Sequence, residues 1–331
     1  LSIFKYTFVN LRIKNCRSCK SSKLNKVFSL GKQALTGIFP PNKKSKITKG
    51  NLTMVLCQKC KLLQLEDNFD SNEMYGDDYG YMSSLNKSME LHLKVKSINL
   101  IKKYNLKPKN LILDIGSNDG TFLSFFNKKF RLFGCDPTIK KFKNLYRKDI
   151  NLLPYFFSKD HFNNKKFNLI TSIAMFYDLP DPVSFVQQIY EVIHDQGIWH
   201  IELSYMPLMI KNTSYDTICH EHLEYYSLYS LKYLFDLTGF KIISLSFNQI
   251  NGGSIELNIA KIDIYSDSEL IVNQINGKYK VKNDRMKQLH SSVMFELNQM
   301  DHWSVAHVRR EKNTRADALS KNGMQKARES K

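Results

Sequence analysis

Four of the six cysteines in this 331-residue chain form two CxxC pairs, Cys16/Cys19 and Cys57/Cys60, with 37 residues between the pairs. A CxxC turn aims two thiolates at one point. Two such turns supply four soft ligands in a tetrahedron, the shell that suits zinc. The basic neighbours Arg17, Lys20, Lys59 and Lys61 lower the cost of gathering thiolates. Four cysteines leave no open position for water, so a zinc held here is structural and staples a small domain with little core of its own. Redox or disulfide pairs are the competing reading of the same spacing, and Cys135 and Cys219 stand alone. A second reactive set lies in YDTICHEHLEYY, residues 215–226. His220 and His222 are two residues apart and cannot share a helix face. On an extended segment they point one way and Glu221 the other. A histidine beside a carboxylate is a good general base near neutral pH, and HEH is not the HExxH of zinc proteases. Hydrogen-bonded structural histidines are the plainer alternative.

The third set is LILDIGSNDGT, residues 111–121. A buried strand ends at Asp114, Gly116 and Gly120 follow, and Thr121 opens a helix. The spacing resembles the first motif of class I S-adenosylmethionine-dependent methyltransferases. That likeness makes Asp114, Gly116, Ser117, Asn118, Gly120 and Thr121 candidates for holding the cofactor's amino-acid end. Twenty-two residues after Asp114, at the end of the next strand, stands Asp136 in FGCDP. An acid there can accept both hydroxyls of a ribose. Another nucleotide-binding Rossmann enzyme would carry the same pair of signals.

These residues need elements to hold them. Short β-like runs at 111–114, 132–136, 167–173, 198–203, 241–245 and 254–260 alternate with amphipathic stretches, which predicts βαβ units and a mostly parallel α/β sheet. Cofactors sit at the carboxyl ends of such strands, where the glycine loop and Asp136 both fall. The HEH run follows the 198–203 strand and is expected on a loop over the cofactor mouth. Met89, Leu91, Leu93, Val95, Ile98, Leu100 and Ile101 make a helix that Pro108 closes. The expected organisation is a zinc-binding domain at 1–70, a linker and helix over the cofactor site at 71–108, a Rossmann-like cofactor domain at 109–261 and a different texture from 262 onward.

Composition agrees with folded protein. The chain is 42% hydrophobic with 21 Phe and 17 Tyr, enough for a full core and about two domains. Its formal charge is +18, from 49 Lys+Arg against 31 Asp+Glu. Lys, Asn and Ile are abundant together and the lysines are scattered, a pattern that AT-rich coding produces without a nucleic-acid partner. No apolar run approaches the roughly 18 residues of a membrane span. The opening LSIFKYTFVNLRIKN is broken by Lys5, Asn10, Arg12 and Lys14 and does not read as a signal peptide, so a cytoplasmic location is expected. It begins with Leu, which leaves room for a longer reading frame.

Taken in order, the CRSC and CQKC pairs, YGYMSSLNKSM (Tyr79–Met89), LDIGSNDGTFL, AMFYDLPDP, SYDTICHEHLEYYSL and INGGSIELNIAK closely resemble the zinc-containing C-methyltransferases related to deoxysugar 3-C-methyltransferases. The resemblance covers about residues 14–261. It implies S-adenosylmethionine, a structural zinc and a sugar-nucleotide substrate. It further implies enolisation of a 4-keto sugar by a His–Glu pair, followed by methyl transfer to carbon. The matching positions are His220, Glu221 and His222, with Tyr79 and Tyr81 over the cofactor; His222 is the expected base and Glu221 its tuning partner. Two departures stand out. Such proteins often carry a His where this chain has Asp178, and they continue into a third domain that completes the sugar site. Here the pattern stops at Lys261. The following IDIYSDSELIVNQINGKYKVKN and HVRREKNTRADALS resemble the C-terminal half of a type 1 ribonuclease H. That likeness makes Asp267 and Asp317 possible Mg²⁺ ligands and Arg309, Arg310, Lys312 and Arg315 weak phosphate contacts. About half of that domain is present, so its first strand, Ile262–Ser266, is expected to have an unpaired edge, and nuclease activity is not expected. A nucleic-acid protein with a scaffold front, or a non-functional junction of two coding fragments, are the competing readings of the whole.

Overall fold

The computed structural model describes residues 12–38, 42, 44, 47–76, 79–298, 303–309 and 311. Its strands, in chain order, are β1 (Leu24–Ala34), β2 (Lys49–Cys57), β3 (Leu63–Leu65), β4 (Leu111–Ile115), β5 (Arg131–Cys135), β6 (Ile150–Leu153), β7 (Phe167–Ile173), β8 (Ile193–Ser204), β9 (Glu224–Tyr225), β10 (Phe240–Asn248), β11 (Ser254–Lys261), β12 (Asp263–Ser266) and β13 (Ser304–His307). Two compact units result. One takes the chain up to Phe235 together with Lys241–Ala260; the other takes Asp236–Phe240 and the chain from Lys261.

The larger unit is organised by a seven-stranded sheet of order β10-β11-β8-β7-β4-β5-β6. The strands from β4 to β8 pair in parallel. Strand β11 runs antiparallel to β8, from Ser254↔Ser204 to Ile259↔Trp199. Strand β4 is central, and four of its five residues are buried, as expected of a strand covered on both faces. The chain leaves β4 for β5 on one side and reaches β7 on the other. A crevice therefore opens at the carboxyl ends of β4, β5 and β7, the place where open α/β sheets bind ligands. This is the predicted α/β class with one strand reversed. Strand β6 had not been read from the sequence.

The helix Lys87–Lys103 starts at Asn86, whose side chain accepts from the Ser88 N–H. It buries Met89, Leu93, Lys96, Ser97 and Leu100, while Leu91, Val95 and Ile98 face outward. Part of the apolar periodicity read from the sequence thus lies on the exposed face.

The cysteine region is a four-stranded sheet of order β1-β2-β3-β9. Its last strand comes from far along the chain, with Leu63↔Tyr225 and Gln64↔Glu224 in antiparallel register. Residues 1–70 therefore do not close this sheet alone. Nor is the region poor in core: Leu52, Met54, Leu65 and Phe69 pack with Met209, Leu223 and Tyr225.

In the smaller unit, β12 pairs in parallel with β13, Asp263↔Ser304 through Ser266↔His307. The helices Glu269–Ile275 and Asp284–Leu297 carry the chain back to supply β12 with one neighbour, and among the described residues its other edge is unpaired. The buried core among the described residues is small, namely Val272, Leu297 and Val305.

Candidate active site and cysteine shell

The loop after β4 must turn within a few residues. Gly116 does so at φ +75°, and a Cβ there would lie 2.8 Å from Met175 Cγ. Gly120, at φ +79°, caps the short helix Thr121–Ser124. Asp136 locks the turn from the neighbouring strand. One carboxylate oxygen accepts from the Asn118 N–H at 2.8 Å, and the other accepts from the Thr138 N–H and hydroxyl at 2.7 and 2.6 Å. Asn118 ties in the tyrosine segment: its Oδ1 accepts from the Ser83 N–H and its Nδ2 donates to the Tyr81 carbonyl. Residues 81–83 are thereby held against the glycine loop.

These elements enclose a cavity of about 420 Å³. Asp114, Gly116, Ser117, Asn118 and Asp136 line it, together with Tyr155, Phe156 and Phe157 after β6 and with Tyr75, Tyr79, Tyr81 and Asp178. Burial pushes the Asp114 carboxyl up to about 7, against the hydrogen bond from the Thr171 hydroxyl at 2.6 Å. Burial also raises Asp136, against its hydrogen bonds from Thr138 and Asn118. Among the expected cofactor residues, Gly120 and Thr121 do not line the cavity; they shape the turn behind it. The aromatic run 155–157 and Tyr75 were missed in the sequence. The first could have been found as an aromatic cluster just after a strand.

The HEH run does not line this cavity. His220 is 1% exposed and sits in the cysteine-bearing region. Its Nε2–H donates to the Gly50 carbonyl at 3.2 Å, its Nδ1 faces the Thr36 N–H at 3.4 Å, and Phe69 packs edge-on against its ring. With both nitrogens engaged, His220 is a structural histidine, which corrects its place among the candidate bases. His222 differs. Its Nδ1–H donates to the Thr217 carbonyl at 2.8 Å, and its ring packs on Tyr177 with centroids 4.2 Å apart. Burial pushes its pKa down to about 4, so the ring is neutral near pH 7 with its lone pair on Nε2. Glu221 is raised by burial, against hydrogen bonds from Thr36 and Cys219, and its charge acts on the cavity residues Tyr75, Tyr79 and Asp178.

The four predicted cysteines come together. Sγ of Cys16 lies 3.5 Å from that of Cys60, Cys19 lies 3.4 Å from Cys57, and all four sulfurs fall within 4.8 Å of one another. A tetrahedral zinc with bonds of about 2.3 Å separates its sulfurs by about 3.8 Å, so the shell fits that ion. Donation from Cys60 and from the Gln64 amide at 3.2 Å draws the Cys16 thiol down to about 5. The neighbouring Arg17, 3% exposed, holds the Leu65 and Asp67 carbonyls and faces Glu224 of β9 at 3.6 Å.

A second polar cluster had no sequence signal. Lys96 Nζ lies 2.6 Å from Glu202 and 2.9 Å from Glu256, and His92 Nε2 lies 2.9 Å from Glu202. His92, Glu202 and Glu256 could gather round a metal, but the Lys96 ammonium already supplies the cation. In the smaller unit, Asp267 follows β12 and is half-buried, whereas Asp317 lies outside the described residues, as do Arg310, Lys312 and Arg315.

Three family models match the chain: a zinc binding domain over residues 16–75, a methyltransferase domain over residues 89–245, and a reverse transcriptase-like family over residues 254–323. The chain carries a methyltransferase domain. It is similar to the C-methyltransferase NovU of Streptomyces niveus, at 26% identity over 252 residues. That match covers 73% of this chain and 60% of NovU, so the chain spans less than two thirds of its relative's length. Among solved structures it is similar to the plantazolicin methyltransferase BpumL in complex with SAH, at 13% identity and TM-score 0.44, over 54% of this chain and 87% of that one. It is also similar to a SAM-dependent methyltransferase from Leishmania major, at 12% identity and TM-score 0.42, over 54% and 77% of the two chains. The reverse transcriptase-like match begins at residue 254, yet β11 pairs with β8 and belongs to the methyltransferase sheet. No helix among the described residues is long and apolar enough to cross a membrane.

Proposed function

We propose that this protein is an S-adenosylmethionine-dependent C-methyltransferase that acts on a carbon next to a ketone, with a keto-deoxysugar nucleotide as substrate. The observation that carries this reading is the cavity at the carboxyl ends of β4, β5 and β7, whose wall combines Gly116, Asp114 and Asp136 with tyrosines. The wall suits that cofactor. Backbone approaches closely at Gly116, where a Cβ would collide; Asp114 can hold a cationic amine and Asp136 the ribose hydroxyls. The bound cofactor supplies an electrophilic methyl group on a sulfonium. The protein's task is to make the acceptor carbon nucleophilic.

In this reading His222 Nε2 takes the proton from the carbon beside the ketone. Donation from Nδ1–H to Thr217 holds the ring in the tautomer that leaves Nε2 free to accept. Glu221 tunes the site through its charge, which acts on Tyr75, Tyr79 and Asp178. Tyr79 and Tyr81 shield the cavity mouth. The cysteine shell holds one structural zinc and keeps β3 in place, and β3 pairs with β9 two residues beyond His222.

Solvent deuterium exchange into a nucleoside-diphosphate 4-keto-6-deoxyhexose tests the proposal. Wild type exchanges the proton next to the ketone before methyl transfer, and His222→Ala loses about 10²–10⁴-fold in exchange rate. Normal exchange in His222→Ala removes it from this role. No exchange in wild type removes the enolisation.

A further inference from the structure

We propose that Asp178 and Tyr75 form a donor pair that receives the oxygen of the acceptor ketone as negative charge develops on it. The proposal rests on the enolisation reading above and adds the group that must stand opposite the base. Both side chains line the 420 Å³ cavity. Asp178 Oδ1 is sealed from solvent and has no hydrogen-bond partner among the described residues, and the Tyr75 hydroxyl beside it has none either. Two neighbouring polar groups, both buried and both unsatisfied at a cavity wall, are costly unless a ligand atom completes them.

Charge decides what that atom is. The ionisable neighbours that act on Asp178 are the Tyr75 hydroxyl and the Glu221 carboxyl, with no cation among them. Burial, reinforced by Glu221, holds the Asp178 carboxyl well above the usual carboxylate range, with the nearby Tyr75 hydroxyl acting the other way. An acid that keeps its proton is a hydrogen-bond donor, and so is a tyrosine hydroxyl. Two donors at one wall suit an oxygen that becomes anionic.

The electron accounting closes without a further reactant. The base removes the proton beside the ketone, the C–H pair becomes the C=C bond, and the carbonyl π pair moves onto oxygen. Asp178 and Tyr75 donate to that oxygen and keep their protons. When the C=C pair attacks the methyl carbon, the C–S pair leaves with sulfur, the C=O bond re-forms, and the abstracted proton passes from the base to solvent.

The test uses the full chain with the same nucleoside-diphosphate 4-keto-6-deoxyhexose. Thermal unfolding serves as the check that each variant is folded. Asp178→Ala is expected to lower deuterium exchange by about 10²–10³-fold, the usual effect of losing one oxyanion donor. Asp178→Asn keeps a neutral donor and stays closer to wild type than to the alanine variant. In the infrared, wild type shows a protonated-carboxyl band that Asp178→Asn lacks and that shifts when the ketone probe is added. Exchange at the wild-type rate in Asp178→Ala overturns the donor pair and leaves the enolisation reading standing. If wild type exchanges nothing, that reading fails instead, and the infrared band still decides: absent or unshifted, it overturns the donor pair as well.

Discussion

The four-stranded sheet around the cysteines and the two-stranded sheet after Lys261 are both small, and they differ in how they are completed. The first is finished by β9, which brings Leu223 and Tyr225 into its core and Glu224 opposite Arg17. Its sulfurs gather into one shell, the terminal nitrogens of its buried guanidinium hold the Leu65 and Asp67 carbonyls, and His220 is tied to Gly50, although Arg17 Nε and both Glu224 oxygens lack hydrogen bonds. Among the described residues the second has one strand pair and three buried apolar residues, while Leu270, Tyr279 and Leu289 stay more than half exposed. Both segments match family motifs. A motif therefore does not measure completeness; the partners of its buried groups do.

The sharpest way to break this comparison is to remove the metal. Chelation or Cys57→Ser is expected to unfold the β1–β3 sheet, because binding by four thiolates contributes about 10–16 kcal/mol in apparent terms in small zinc domains. Metal analysis of reduced protein should find one zinc per chain. A metal-free protein with unchanged thermal unfolding would show that the shared core alone holds this sheet.

Next in size is Lys96. It is 4% exposed at its side chain and compensates two glutamates. Burial opposes the charge on Glu202, yet the hydrogen bond from His92 and the charge of Lys96 bring its pKa down to about 2. Lys96→Ala leaves both carboxylates uncompensated and should cost about 3–5 kcal/mol in urea unfolding. A loss below about 1 kcal/mol would mean that Asn248, which donates to both glutamates, suffices.

Much of the larger unit was legible because its signals are local. The order of short β-runs predicts the parallel sheet, the glycine spacing predicts the turn at Gly116, and the CxxC pairs predict the shell. What stayed hidden depends on distant partners. Lys96, Glu202 and Glu256 are spread over 161 residues, and nothing in their neighbourhoods marks them as one network. His220 and His222 look equivalent in HEH, and only the contacts with Gly50 and Thr36 separate the structural ring from the candidate base. Tyr75 and Asp178 are brought together by a cavity that no periodicity describes.

Asp136 sharpens the comparison at the cofactor wall. Asp136→Ala should weaken S-adenosylmethionine binding by about 1.5–3 kcal/mol for each charge-assisted hydrogen bond lost. Calorimetry measures this directly. Equal affinity in the variant would mean that Asp136 serves only Asn118 and Thr138.

Acid should weaken the larger unit through its buried neutral histidines. His200, lowered chiefly by burial, and His222 both have folded pKa values of about 4, below the unfolded value of about 6.5. Between these values the unfolded chain binds more protons, so each histidine's stabilisation is complete above pH 6.5 and falls as pH drops towards 4. The slope is about 1.4 kcal/mol per pH unit for each group. Raised carboxyls such as Asp114 and Asp178 act in the opposite sense over the same range, so the histidine share is read from the variant: the urea midpoint of His222→Gln should fall less, or rise more, than that of wild type between pH 7 and pH 5. The same midpoint change in His222→Gln as in wild type would show this ring to be solvated.

The smallest expected effect is at Asp267. Two-metal hydrolysis needs several carboxylates around one point, and Mg²⁺ demands near-octahedral oxygen geometry. Among the described residues, the clusters able to gather round a metal are the four cysteines and His92 with Glu202 and Glu256; Asp267 joins neither. Among the described residues its strand has a single neighbour, β13, where a ribonuclease H site would need further strands to carry further acids. Hydrolysis of a labelled RNA–DNA hybrid with Mg²⁺ or Mn²⁺ should therefore be at background in wild type and unchanged in Asp267→Asn. Weak, salt-sensitive hybrid binding by the basic tail would be compatible with that outcome, since phosphate contacts need no metal. Robust cleavage that disappears in Asp267→Asn would reverse the comparison: the smaller sheet would then be the completed one, its missing acids supplied by another chain.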